Sequence, residues 1–371
     1  MNNSIKVGTF EALCIILIGV IGQNILIMPK FVIQSQGSSA IINTIYITLI
    51  AIVLILVFNM LYKNLHDMDI LDISEYLLGK IFKIIVGFII IAYFLFTTSL
   101  LVRNTSENLR TMYFQSTPTP YLLFFIILGS SLVNRYGLKT IIKCNTIIVT
   151  FILIAFTILF LLSVKQFEFT RIYPIFGYGF KNTFITGFQN ITIFANLFLL
   201  SLASPLLHNK KQFDKVSVLS TIICGIFATL TVTALLLMFP VSISAGSNVP
   251  LYLQTRAINL GRLVQRVDAF FILIWILTIL SYISISILAV TYVFKKIFNL
   301  SNSNTVSYTF FAILFGICLI YTNLIQVRKI DSEYNGITSI VILSILTFSI
   351  LICGNIKKKR QSKNLKGNLN V

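Results

Sequence analysis

The stretch FEALCIILIGVIGQNILIMP, residues 10–29, is apolar except where Gly22-Gln23-Asn24 interrupts it. A second stretch, from about Thr183 to Leu207, is interrupted in the same way at Gly187-Phe188-Gln189-Asn190. Inside hydrocarbon a peptide group must find its hydrogen bond within the protein, so irregular backbone persists at that depth only where it lines a cavity or is buried in protein. Interrupted hydrophobic segments at corresponding places in two halves of a chain point to a binding site at the membrane midplane. The paired breaks predict a protein that holds a small polar solute inside a membrane.

The rest of the chain supports that setting. Its 371 residues are 57% hydrophobic and 11% charged, with a mean hydropathy of +0.92; soluble proteins average roughly 25% charged. The pattern predicts an all-α integral membrane protein of about ten transmembrane helices at 10–29, 40–62, 80–101, 119–134, 141–164, 183–207, 216–240, 267–294, 305–326 and 336–356. That is one polytopic domain over 1–371. It divides as a 5+5 inverted repeat, about 10–164 and 183–356, with discontinuous helices 1 and 6 and a basic tail over 357–371. The first apolar run is long enough to span, and no small-residue cleavage site follows it, so no cleaved signal peptide is expected. The five cysteines are scattered without CxxC or metal-ligand spacing, and read as small apolar residues.

A net charge of +18 invites a nucleic-acid reading, and its distribution argues against one. With the N-terminus in the cytoplasm, 18 of the 29 basic residues fall on cytoplasmic segments, six of them between Lys357 and Lys366. The positive-inside rule then places both termini in the cytoplasm. The tail Lys357-Lys358-Lys359-Arg360 would pin the last helix against anionic headgroups or serve as a docking site for a partner.

No connecting segment is long enough for a separate domain. Pro240–Arg266, rich in Ser, Gly, Asn and Pro, would cover a vestibule or offer a docking surface. The link between spans two and three carries Asp67, Asp69, Asp72 and Glu75; its spacing matches no calcium loop. Asp72-Ile73-Ser74-Glu75 reads as the start of an amphipathic interfacial helix.

Several residues are candidates for chemistry. Gly22 allows close approach of a ligand, and Gln23 and Asn24 supply amide donors and acceptors. A half-helix N-terminus suits a carboxylate, and freed carbonyls suit an ammonium. The structural alternative is that Gln23 and Asn24 tie helices together. In span six, Gln189 and Asn190 lie at the break, and Gln189, Thr192 and Asn196 would share one α-helical face. Phe188 and Phe194 wall a pocket or pack. Tyr93 and Thr97 share a face of span three, and Tyr282 lies in the hydroxyl-rich run Ser281–Ser286, whose serines can equally bond their own helix. Arg103, Glu107 and Arg110 form one face at the end of span three, an ion-pair cluster or a gate, with Arg266 and Asp268 on the same side. On these boundaries no carboxylate falls at mid-membrane, which argues against proton-coupled pumping.

No enzyme, metal site or cofactor is expected. His66 and His208 have no local metal or nucleophile partner, and no glycine loop could cradle phosphate.

Four motifs, in order and spacing, resemble the spore-germination permease family. They are Gly22…Leu26-Ile27-Met28-Pro29; Glu107-Asn108-Leu109 with Thr117-Pro118; Arg171-Ile172-Tyr173-Pro174 leading to Gly177; and Arg266-Val267-Asp268 running into Trp275. These are the B subunits of nutrient germinant receptors, within the amino acid–polyamine–organocation superfamily, and the similarity runs from Phe10 to about Asn355. The resemblance implies a LeuT-like ten-helix fold, the inner membrane of a dormant spore, germinant sensing, and a complex with an A subunit and a lipoprotein C subunit. Many relatives carry glutamate at the position of Asp268.

Three functions fit this sequence. The first is a sensor that binds a small-molecule nutrient, an amino acid by preference, between the broken helices. The second is an amino-acid secondary transporter. The third is a scaffold that binds no solute. Gly22, Gln23, Asn24, Gln189 and Asn190 are the leading contact residues.

Overall fold

A computed structural model of the chain describes residues 6–25, 27–258, 267–300 and 304–368. They are predominantly helical, with no strand among the described residues. The first interrupted span is two half-helices, α1 (Thr9–Asn24) and α2 (Met28–Gln36), followed by α3 (Ala40–Tyr62). A short helix, α4 (Ile70–Leu78), leads into α5 (Lys80–Met112), α6 (Thr119–Arg135) and α7 (Gly137–Ser163). The second interrupted span comprises α8 (Phe180–Phe184), a 3-10 helix over Thr186–Phe198, and α9 (Leu199–Ala203). Beyond it come α10 (Lys210–Met238), two short helices α11 (Val241–Gly246) and α12 (Pro250–Ala257), α13 (Val267–Phe298) and α14 (Asn304–Ile320). The last rod is α15 (Leu324–Ile330), α16 (Gly336–Ile340) and α17 (Phe348–Asn368), joined through π-helical turns at Asp331–Asn335 and Val341–Thr347.

Among the described residues, seven helical stretches are long and apolar enough to cross a membrane, and three shorter apolar helices, Thr9–Asn24, Thr119–Arg135 and Thr305–Ile320, accompany them. Burial sorts them by position. The most apolar windows of α5 and α10 are 67% buried, whereas that of Gly137–Gln166 is only 22% buried. The outer face of α7 carries Phe151, Ile154, Ile158 and Leu161, all exposed, as expected of a helix whose solvent is lipid. The central helices surround α1, which packs against α7, α10, α13 and the 3-10 helix.

The first break departs from the sequence expectation in position and the second in form. Gly22, Gln23 and Asn24 still wind as the last turn of α1, and the interruption falls between Asn24 and Met28. Pro29 accounts for this. It can donate no bond to the Ile25 carbonyl and its ring would strike that carbonyl, so α1 cannot pass through it, while the first turn of α2 tolerates it. In the second span Gly187-Phe188-Gln189-Asn190 is helical, but wound as a 3-10 helix of 13 residues. Such runs rarely exceed about four residues. Here the amide of Asn43 on α3 takes the carbonyls of Thr183 (2.9 Å) and Gly187 (3.1 Å), which holds the chain out of α-helical register.

A third departure concerns the last span, which begins at Leu324, not at 336. Asn323 caps it by accepting from the Gln326 N–H at 2.8 Å. The polar run Arg328–Glu333 reads as a loop in sequence. Yet it is helical, and it brings the carboxylate of Asp331 into the long helical stretch that begins at Leu324.

One end of the bundle holds residue 6, α4 and the start of α17. There the acidic link is a clamp. Asp69, fully buried, caps α4 by accepting from Leu71 and Asp72 N–H, accepts a hydrogen bond from the Tyr292 hydroxyl, and pairs with Lys296 of α13 at 2.6 Å. Lys296 also reaches Asp72 at 2.6 Å, Glu75 pairs with Lys83, and Lys357 donates to the Tyr76 and Leu77 carbonyls that end α4. Lys296→Met should leave Asp69 with only neutral donors and destabilise the fold by about 2 kcal/mol, since a buried carboxylate loses its counter-charge but keeps three hydrogen bonds. Faster trypsin cleavage after Lys63, in the link before α4, would register it; cleavage at the wild-type rate would show the clamp to be dispensable.

Candidate functional site

A cavity of about 810 Å³ opens between the two broken spans and the last rod. Pockets for small ligands run to about 300–1,000 Å³. Its walls are Gln23 and Asn24 at the end of α1, Lys30, Gln34 and Ser35 of α2, Thr97 of α5, and Gln189, Asn190 and Thr192 of the 3-10 helix. The last rod contributes Arg328, Lys329, Asp331, Ser332, Asn335 and Ser339. The Ile27 cap of α2 supplies no side-chain acceptor, so the partial positive charge of that half-helix faces the break uncapped.

The asparagines of the breaks line the cavity while their side-chain nitrogens tie the frame together. Asn24 donates to the Val20 carbonyl at 2.7 Å and to the Ile193 carbonyl at 2.8 Å, tying α1 to the 3-10 helix. Asn190 donates to the Asn43 side-chain oxygen at 2.8 Å. Gln23, Gln189 and Thr192 differ: each lines the cavity, and no side-chain hydrogen bond engages them among the described residues.

Below the cavity lies a buried polar floor. Tyr93 and Ser339 hydroxyls are 3.3 Å apart, and Asn196 accepts from Tyr93 at 3.5 Å while donating to Tyr282 at 3.3 Å and to the Gly19 carbonyl at 2.6 Å. Asn196 therefore does not share the cavity face with Gln189 and Thr192. In a 3-10 helix each residue turns about 120°, so position i+3 is eclipsed and position i+7 lies about 120° away. Gly22 packs against Tyr282; a Cβ there would meet the Tyr282 Cβ at 2.8 Å. Thr97 lines the cavity, though its hydroxyl bonds back to the Tyr93 carbonyl at 3.0 Å. Phe194 is buried and faces a separate small apolar pocket, whereas Phe188 is exposed.

At the opposite end from α4, Arg103 and Glu107 pair at 2.7 Å, with Arg110 3.7 Å from Glu107. Asp268 is half-buried at the start of α13; Arg266 lies outside the described residues. Arg328 donates to the Asn248 side chain at 2.5 Å, so the segment between α11 and α12 meets the last rod at the cavity wall.

Sequence reasoning missed Asn43, Lys30, Arg328, Asp331, Asn335 and Ser339. The last four, with Ser332, recur at three- and four-residue steps from 328 to 339, one face of a helix. That stripe was readable, but the charges at its start masked it as a loop.

Solved transporter structures share this architecture. A substrate-bound outward-open Na+-coupled sialic acid symporter superposes with a TM-score of 0.66 at 14% identity, over 94% of this chain and 79% of that one. Mhp1, a nucleobase-cation-symport-1 family transporter in a closed conformation with bromovinylhydantoin bound, gives 0.65 at 13%, over 93% and 82%. The molecule is thus an all-α, multi-pass membrane protein with the LeuT-like transporter fold. Within that class the chain belongs to the spore germination protein family, whose sequence profile matches residues 6–327. Spore germination protein KB of Bacillus subtilis (strain 168) is 20% identical over 97% of both chains. Spore germination protein B2 of the same organism is 20% identical over 73% of this chain and 74% of its own.

Proposed function

We propose that this protein is the membrane subunit of a spore nutrient germinant receptor, one polytopic domain whose central cavity binds a small nutrient, an amino acid by preference. The observation that carries the reading is the polar cavity between the two broken spans, into which Gln23, Gln189 and Thr192 present unengaged side chains. Binding shifts the bundle between two conformations by the ligand's differential affinity for them, and A and C subunits read the shift. Both termini lie in the cytoplasm on the charge argument, in the spore inner membrane on the family argument, with the cavity open to the other side.

Gln23→Leu and Gln189→Leu should each weaken binding about tenfold, the scale of one or two polar contacts. Thermal stability should stay near wild type, since neither amide holds the frame. Unchanged binding in both variants would move the site elsewhere.

A secondary transporter is the second reading, favoured by the fold shared with two symporters and by a carboxylate, Asp331, in the cavity wall. Sealed liposomes with radiolabelled amino acids separate the two. Saturable binding without accumulation supports the receptor; accumulation beyond the binding stoichiometry makes the protein a transporter. Absence of any binding overturns both.

A further inference from the structure

We propose that Asp331 is the specificity-determining residue of the cavity, selecting ligands that carry a protonated amine; this rests on the reading of the cavity as a ligand site. Asp331 lines the cavity from the π-helical turn Asp331–Asn335, and π-turns within α-helices concentrate at functional sites. Its Oδ1 accepts one hydrogen bond, from the Asn335 amide at 2.7 Å, and its Oδ2 has no partner among the described residues. No lysine or arginine among the described residues forms an ion pair with it. A carboxylate drawn out of bulk water without a counter-charge is costly, and a cation from the ligand relieves that cost.

The surroundings give the selection a direction. Arg328 lies three residues earlier on the same rod, about 4.5 Å along the helix axis. Lys30 of α2 lines the same cavity, and no hydrogen bond or ion pair engages its ammonium among the described residues. Opposite charges thus stand in one cavity, with cations at Lys30, Arg328 and Lys329 and a single anion at Asp331. A zwitterion is held at both ends by such a pattern. A ligand with only an anionic group meets Asp331 unpaired, and like-sign placement of this kind is what rejects a wrong ligand. Asn335 positions the carboxylate, and Ser339, one further turn inward, leads to the Tyr93 floor.

The test uses full-length protein in liposomes, a mixture of the twenty tritiated amino acids to find those that bind, and two competitors made from each binder. The N-acetyl form removes the positive charge, and the methyl ester removes the negative one. Wild-type protein should bind the N-acetyl form at least about tenfold more weakly than the free amino acid, the scale of one charge-assisted contact. In Asp331→Asn, affinity for the free amino acid should fall about tenfold and discrimination against the N-acetyl form should vanish, with discrimination against the ester unchanged. Asp331→Glu should restore part of the N-acetyl discrimination. Should Asp331→Asn fail to fold, Asp331→Ser gives the same reading. Wild-type discrimination retained in the neutral variant overturns the assignment of Asp331 alone. No saturable binding to wild-type protein overturns the cavity as a ligand site, and this assignment with it.

Discussion

Glu107→Ala should lower the melting temperature of the detergent-purified protein by about 10 °C, the largest stability effect expected of any single substitution here. The Glu107 side chain is 6% exposed and that of Arg103 is 7% exposed, and they pair at 2.7 Å. Arg103 also donates to the Cys318 carbonyl at 3.3 Å and the Thr322 carbonyl at 3.2 Å, holding the end of α14 where the chain turns into α15. Thr119 donates to Glu107 at 3.2 Å and accepts from Arg110 at 3.0 Å, adding the start of α6. Removing the anion leaves a guanidinium buried against carbonyl dipoles without a counter-charge. Breaking a buried pair from one side costs roughly 3–5 kcal/mol, a large part of a typical 5–15 kcal/mol of stability. At about 2–4 °C per kcal/mol the expected shift follows. Arg110→Ala should change little, because Arg110 is 46% exposed and stands 3.7 Å away. Recovery of monodisperse protein after heating measures both. An alanine variant melting within about 2 °C of wild type would remove the structural role and leave gating as the function of the cluster.

Asn43→Leu should abolish high-affinity ligand binding, a loss of about a hundredfold. One side chain on α3 donates to the Thr183 and Gly187 carbonyls and accepts from Asn190 at 2.8 Å. Without it two carbonyls and one amide at the break lose their partner, at about 1–3 kcal/mol for each buried group left unmet. The cheapest response is for the 3-10 helix to relax toward α-helix, which turns Gln189 and Thr192 away from the eclipsed positions that aim both at the cavity. A Cβ at Gly187 would collide with the Asn43 amide, so Gly187→Ala should reproduce the loss. Equilibrium binding in liposomes, paired with melting curves, separates this from unfolding. Binding within threefold of wild type by a folded Asn43→Leu variant would show that α3 does not set the cavity wall.

Much of the architecture is legible in sequence. Apolar runs of spanning length place the membrane helices near their structural positions, since a lipid environment allows little else to cross it. The two interruptions are visible because polar residues in such runs need a reason. Their exact form is not. Asn24 reads as a candidate ligand contact, yet its amide is spent on the Val20 and Ile193 carbonyls, a pairing that depends on a residue 169 positions away. Asp72 reads as a helix-start residue and lies in the first turn of α4, which Asp69 caps, but their partner Lys296 is more than 220 residues distant.

By itself, then, the sequence determined the membrane setting, the helical class and, to within a few residues, where two spans are interrupted, because hydrophobicity along a span and the clash of Pro29 with its own helix are local properties. The tertiary structure decided which polar groups face the cavity. Asn43 forces 3-10 winding from another helix, and that winding separates Asn196 from Gln189 and Thr192. It also decided that Arg328 and Asp331 belong to a spanning rod, since a charged stripe is tolerated at that depth only when other helices enclose a polar cavity for it.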